Sequence, residues 1–214
     1  LGGPGLDLVS QFFVGEALSY WNNMLGASWG ASENLCVNNL VRNASAEQQA
    51  RFLPRMLSGI GALGLTEPGA GSDALGSMCT TARRDGDHYV LNGRKMFITN
   101  GPDGFCFLVY AKVNGRVTAF VVDRDCPGFS NSPKIDKMGM RGSTMSELVF
   151  DDCRVPVENL LGVEGGGVTH MMRNLEIERL TLAAMSLGIA DRCLDVMIRY
   201  ADQRKAFGQP LHAF

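Results

Sequence analysis

Three features of this 214-residue sequence predict an α+β fold, helical at both ends with an antiparallel β domain between. Residues 9–24 space their apolar side chains for an amphipathic helix, and a second helical pattern runs from about 165 toward 204. Between them lie short alternating segments rich in β-branched and aromatic residues, punctuated by Asn-Gly pairs. Helical and strand patterns keep to separate zones, which argues against βαβ units. The zones divide the chain into an N-terminal helical part (1–60), a middle β domain (61–160) and the start of a C-terminal helical part (161–214).

In chain order, the 9–24 helix is followed by a second, for which Ser45 is the N-cap and Glu47 and Gln48 form the first turn. Strands are expected at 61–65, 88–92, 95–99, 105–111, 117–123 and 146–153. Asn92-Gly93 and Asn114-Gly115 read as hairpin turns. The long helix starts at Gly165-Gly-Gly-Val168 and spans roughly 50 Å. Apolar residues make up 45% and charged residues 20%, as in globular proteins, and the net charge is −2. With no basic block, neither nucleic acid nor an anionic membrane is an expected partner. Six scattered cysteines form no Cys-x-x-Cys pair, which argues against a zinc site or disulfide framework and suits a reducing compartment. No membrane-spanning run or signal peptide is visible. A first residue other than Met and a last residue, Phe214, within an apparent loop make the chain read as a fragment.

The most informative stretch is residues 63–73, Leu-Gly-Leu-Thr-Glu-Pro-Gly-Ala-Gly-Ser-Asp. A strand-like run breaks at Pro68, and glycines flank Ala70 ahead of Ser72-Asp73. Such glycines let main-chain N–H groups approach a phosphate or ring system. On its own the pattern equally suits a strand ending in a Pro-Gly turn. It is followed by Lys95-Met-Phe-Ile-Thr-Asn-Gly101. Together the two segments resemble the flavin-binding signature of the acyl-CoA dehydrogenases, most closely isovaleryl-CoA dehydrogenase-like members, and the resemblance extends from about Gly15 to Phe214.

That resemblance implies FAD as cofactor. Leu63, Leu65, Thr66, Gly71 and Ser72 would border the flavin ring and its phosphate tail, with Ser72 also reaching the acyl-CoA. Phe97, Ile98 and Thr99 would flank the ring, with Thr99 near N5. Many relatives carry Trp where this chain has Phe97. Tyr110 and Ala111 match a pair lining the thioester end, although a buried strand end explains them as well. The segments 137–144 and 149–156 match family segments of mainly structural role.

In Asn174-Leu-Glu-Ile-Glu-Arg-Leu180, Glu176 and Glu178 point to separate faces. Glu176 has Arg173 and Arg179 three residues away and suits a surface ion pair. Glu178 has Leu175, Thr181, Leu182 and Met185 on its face. A carboxylate against apolar surface has a raised pKa and is the better base near neutrality. The other reading is a helical glutamate pairing elsewhere. In the isovaleryl and long-chain branches the catalytic base is a Glu immediately before Arg on this helix, so the resemblance assigns Glu178 as the base. It also implies acyl-CoA contacts from Glu176, where the family commonly has Asp, and from Arg179. Thr169 stands where isovaleryl-type enzymes carry a Tyr.

Ala27 and Ala31 match positions packing on the acyl tail, Ala27 replacing a bulkier Leu, so a wider pocket is expected. Arg204 and Phe207, in Arg-Lys-Ala-Phe-Gly-Gln, match a motif holding the FAD pyrophosphate of a neighbouring subunit; a helix C-terminus ended by Gly208 is compatible with this. The implied reaction is FAD-dependent α,β-dehydrogenation of a short or branched acyl-CoA thioester, with electrons passed to an electron-transfer flavoprotein. A homotetramer in the mitochondrial matrix or bacterial cytoplasm is expected. The alternatives are an acyl-CoA oxidase-like enzyme and a non-catalytic flavin- or acyl-CoA-binding fragment.

Overall fold

Asp7 and Ser45 are short polar residues ahead of apolar runs, and each caps a helix. The computed structural model describes residues 5–214, so the first four residues of the expected N-terminal part lie outside the described residues. The Asp7 carboxylate accepts from Ser10 N–H at 2.8 Å and starts α1 (Leu8–Gly30). The helix kinks at Asn22 (φ −155°, ψ 96°), where the side-chain oxygen accepts from Met24 N–H at 3.1 Å. Asn competes in this way with the helical ladder. Beyond the predicted end at residue 24 the chain stays helical, through a π-helical segment (Ala31–Val37) into α2 (Asn38–Asn43). The expected cap at Ser45 is present as a capping box with Gln48 and begins α3 (Ala46–Phe52). The Gln48 amide also donates to the carbonyls of Glu158 and Leu160, fastening the helices to the β domain.

The strands are β1 (Gly61–Gly64), β2 (Thr81–Asp85), β3 (His88–Thr99), β4 (Cys106–Val113), β5 (Arg116–Asp123), β6 (Phe129–Asn131), β7 (Met145–Pro156) and β8 (Leu160–Leu161). They form one sheet in the order β6-β7-β3-β2-β4-β5-β8, with β1 pairing with β4. The sheet is mixed rather than purely antiparallel, because β1, and β2 through a single residue pair, run parallel to β4. Asn114-Gly115 makes the expected hairpin turn, with φ of 50° and 77°. Asn92-Gly93 does not. Residues 88–99 form one continuous strand, and Gly93 (φ 144°) sits at an irregularity where a Cβ would press on Thr80. Pairing with β7 along the length of β3 outweighs the local turn preference. The charged strand β2 was not predicted; it carries little apolar pattern and is held by β3.

Alternation along β4 and β5 builds two cores. Phe107, Val109, Phe120 and Val122 meet Leu148 and Phe150 of β7 on one side. Leu108, Tyr110, Ala119 and Val121 meet Cys36, Leu40, Phe52 and Met171 from the helices on the other. Each fully buried large side chain contributes about 1.5–3 kcal/mol.

The long helix is α4 (Gly167–Gln203). It packs along α1 where Gly188 is indispensable, because a Cβ there would overlap the Glu16 carbonyl. The helix ends at Arg204, and Gly208 is not its terminator. With Phe207 (φ 51°) it turns a small hairpin of β9 (Lys205–Ala206) and β10 (Gln209–Pro210).

Candidate functional site

The segment after β1 and the end of β3 lie side by side, joined by a hydrogen bond from Met96 N–H to the Thr66 carbonyl at 2.8 Å. Between Lys95 and Ile98, β3 holds one residue more than β7, which produces a bulge. The bulge puts Phe97 at φ 59° and leaves its ring 58% exposed, while Ile98 turns into the core. Behind this edge lies a buried ion pair. Lys95, fully buried, donates to Glu67 Oε1 at 2.8 Å and to the Leu65 carbonyl at 3.3 Å. Glu67 also accepts from the N–H groups of Cys79 and Thr80. Burial pushes the Glu67 carboxyl up, but the hydrogen bonds from Lys95, Thr80 and Cys79 outweigh it and hold the group below its usual range. Burial lowers the Lys95 ammonium, with Glu67 opposing. This clamp was not anticipated, because Lys95 and Glu67 lie far apart in the sequence.

Leu63, Leu65, Thr66, Phe97, Ile98 and Thr99 face Ala31, Leu35, Leu175 and Glu178 across a cavity of about 220 Å³. A second cavity of about 170 Å³ continues inward past Ala27, Asn34, Met140, Thr181, Leu182 and Met185. Ala31, Leu35, Thr99 and Glu178 line both, so the two form one cleft. Among the described residues, Glu178 is its only titratable side chain. Burial pushes that carboxyl above its usual value, and the Arg179 guanidinium pulls it partly back. Larger depressions, one of about 380 Å³ around Arg51, His88 and Arg154, are open surface features away from these residues.

Several predicted site residues are therefore brought together: Leu63, Leu65, Thr66, Phe97, Ile98, Thr99, Ala27, Ala31 and Glu178. Gly71 and Ser72 lie on an exposed loop outside the two cavities. An added Cβ at Gly69 or Gly71 meets nothing within 4 Å, so both backbones are open to approach by a ligand. Tyr110 and Ala111 do not line the cleft. They are fully buried on opposite faces of a central strand, so strand pairing turns both side chains into the cores. Glu176 and Arg179 are exposed on the outer face of α4, as is Thr169 near its start. The expected ion pairs of Glu176 are not formed; among the described residues, α4 contributes Arg199–Asp195 and Asp202–His212 pairs. Arg204 and the 96%-exposed Phe207 lie beyond the far end of α4, roughly 39 Å along its axis from Glu178. They therefore cannot serve the same cleft within one chain.

Sequence reasoning missed Asn34, Leu35 and Met140. Met140 (φ 49°) reaches the cleft because its loop is held by Gly142 N–H on the Met24 sulfur at 3.1 Å. No sequence pattern marks a loop residue for that position.

An open aromatic ring, an apolar floor that includes Thr99, and two bare glycine backbones a few residues along the chain from Thr66 fit a planar cofactor with a phosphate tail. Fold and cleft together define a helix–sheet–helix protein with one desolvated carboxylate facing such a surface. Residues 1–60, 62–153 and 165–214 match the family models described as the N-terminal, middle and C-terminal domains of acyl-CoA dehydrogenase. The chain belongs to the acyl-CoA dehydrogenase family.

It is 46% identical to mitochondrial isovaleryl-CoA dehydrogenase of Pongo abelii, an alignment covering 100% of this chain and 52% of that protein. A solved acyl-CoA dehydrogenase of Bacillus anthracis complexed with FAD superposes with a TM-score of 0.95 at 39% identity, covering 100% of this chain and 37% of the other. A chain from the structure described as the electron transferring flavoprotein of Acidaminococcus fermentans superposes with a TM-score of 0.96 at 39% identity, over 100% and 58%. The chain spans about half the length of the curated relatives it matches. Among the described residues no helix is long and apolar enough to cross a membrane.

Proposed function

We propose that the whole protein catalyses FAD-dependent α,β-dehydrogenation of an acyl-CoA thioester of short or branched chain. The observation that carries this reading is the cleft in which Glu178, the one titratable lining group, faces the segments 63–66 and 97–99. Leu63, Leu65, Thr66, Gly71, Ser72, Phe97, Ile98 and Thr99 would hold the cofactor, with Arg204 and Phe207 supplied by a neighbouring subunit of a homotetramer. When bound, FAD supplies the acceptor for the β-hydrogen and its electron pair. Glu178 removes the α-proton, and a C=C bond forms between the two carbons. Desolvation makes the carboxylate more basic and keeps bulk water from competing for it. Ala27 and Ala31 leave room for the acyl tail, and Ser72, Glu176 and Arg179 serve the CoA-bearing side.

Electrons then pass to an electron-transfer flavoprotein. The superposed chain from the Acidaminococcus structure supports that partner. The mitochondrial and bacterial relatives support a matrix or bacterial cytoplasmic location.

The test is anaerobic bleaching of FAD in the full-length protein by isovaleryl-CoA and octanoyl-CoA. Wild type is expected to bleach with at least one thioester, and Glu178→Gln with neither. Full bleaching in the variant would place the base elsewhere, and no bleaching in wild type would leave a binding protein. Turnover with oxygen as efficient as with the flavoprotein would indicate an oxidase.

A further inference from the structure

Asn34 is 1% exposed, and among the described residues neither its side-chain oxygen nor its nitrogen has a hydrogen-bond partner. Leaving such an amide unsatisfied costs on the order of 1–3 kcal/mol per group, which favours a partner drawn from the space it borders. That space is the inner cavity, which Asn34 lines together with Glu178. Its other walls are apolar apart from the hydroxyls of Thr99 and Thr181, and the Thr181 hydroxyl donates to the Ile177 carbonyl at 3.1 Å.

The helix register brings the two residues level. Asn38 Nδ2 donates to Asn174 Oδ1 at 3.1 Å. Eight residues earlier, an added Cβ on Gly30 would stand 3.8 Å from Met185 Sδ and 3.8 Å from Asn34 Nδ2. The helices therefore run antiparallel, and Asn34, midway between these contacts, faces residues 178–182 of α4. Within that stretch the Glu178 carboxylate, which only accepts hydrogen bonds, is the natural complement of an amide donor.

The geometry points to Asn34 as a positioning residue for Glu178, acting through a water that the two side chains share in the inner cavity. The amide holds one carboxylate oxygen and leaves the other free to face the α-carbon. The inference rests on Glu178 being the base. A water needs two to four polar partners, which Asn34 and Glu178 supply within a cavity of about 170 Å³. The charged groups on the surrounding elements are Arg179 on α4 itself, Arg141 next to Met140 and paired with Asp136, the Glu67–Lys95 pair beneath the strands, and Glu33 of the π-helical segment. Glu33 lines a different depression, with Trp29 and Met56.

The experiment uses the full-length, FAD-loaded enzyme and measures two quantities. These are the acidic limb of the kcat/KM–pH profile and the infrared carboxyl band that Glu178→Gln removes, titrated without turnover. Asn34→Leu is expected to move both upward by about one pH unit, a tenfold loss at the low-pH end. Asn34→Ser retains a small donor with room for the water and is expected to stay near wild type. Asn34→Asp matches the native shape but adds a second carboxylate, and is expected to shift both furthest. Limb and band unmoved in Asn34→Leu, or in Asn34→Asp should the leucine variant not fold, would overturn the proposal. So would a shift in Asn34→Ser equal to that in Asn34→Leu, since packing alone would then explain it. Retained activity in Glu178→Gln would remove the base assignment and this inference with it, a result visible before any Asn34 variant is measured.

Discussion

At Lys95 and Glu67 two charges are removed from water, and each depends on the other. Replacing Lys95 by Met leaves a buried carboxylate uncompensated, and a loss of about 3–5 kcal/mol in urea unfolding is expected. Lys95→Met combined with Glu67→Leu should recover only part of that stability, because the Cys79 and Thr80 N–H groups lose their acceptor. FAD retention should recover less, because the tie between Lys95 and the Leu65 carbonyl is gone. Glu67, which is buried, and Glu178, which is partly buried, respond to pH with opposite sign. Glu67 has a depressed folded pKa, so its contribution is present above its unfolded pKa and lost as pH falls through the folded value. Glu178 has a raised pKa, so its contribution is full below the unfolded value and lost as pH rises through the folded one. Glu178→Gln should therefore melt higher than wild type at neutral pH while losing dehydrogenation. An equal or lower melting temperature would argue against the desolvation that makes this residue a base. Glu178 was legible in the sequence because its neighbours at helical spacing are the residues that line the cleft. The ion pair was not, because sequence separation hides that Lys95 and Glu67 meet.

At the scale of elements, the α1–α4 contact depends on a position without a side chain. Gly188→Ala forces a Cβ onto the Glu16 carbonyl and should cost about 1–3 kcal/mol, read from denaturant midpoints at constant slope. The same helix pair frames the inner end of the cleft, where Ala27 stands and where the acyl tail is proposed to lie. Ala27→Leu should narrow the inner cavity and reduce kcat/KM for octanoyl-CoA relative to isovaleryl-CoA by about tenfold. An unchanged ratio would place the acyl tail elsewhere. The helix from 167 and the hairpin at Asn114-Gly115 were readable because period and turn chemistry agree there with the tertiary contacts. Asn92-Gly93 misled because the same dipeptide is also suited to an irregular strand, and only the pairing of β3 with β7 decides between the two.

At the scale of the molecule, Arg204 and Phe207 project beyond the far end of a helix that carries Glu178 near its start. A role for Arg204 at a flavin site requires a second chain. Arg204→Ala in the full-length protein should lower the FAD-to-protein ratio after gel filtration. Mixed assemblies of Arg204→Ala and Glu178→Gln subunits should regain part of the activity that each lacks alone. Failure to complement would leave Arg204 a helix-end residue only.

The sequence by itself determined the zone order, the flavin-signature segments and the apolar face around Glu178. These are local properties, set by periodicity, capping and short-range spacing. The tertiary structure decided which residues share the cleft. Strand pairing buried Tyr110 and Ala111, a one-residue bulge turned Phe97 outward, and helix register brought Asn34 level with Glu178. Each outcome depends on contacts between segments far apart in the chain, and no local pattern encodes which pairing prevails.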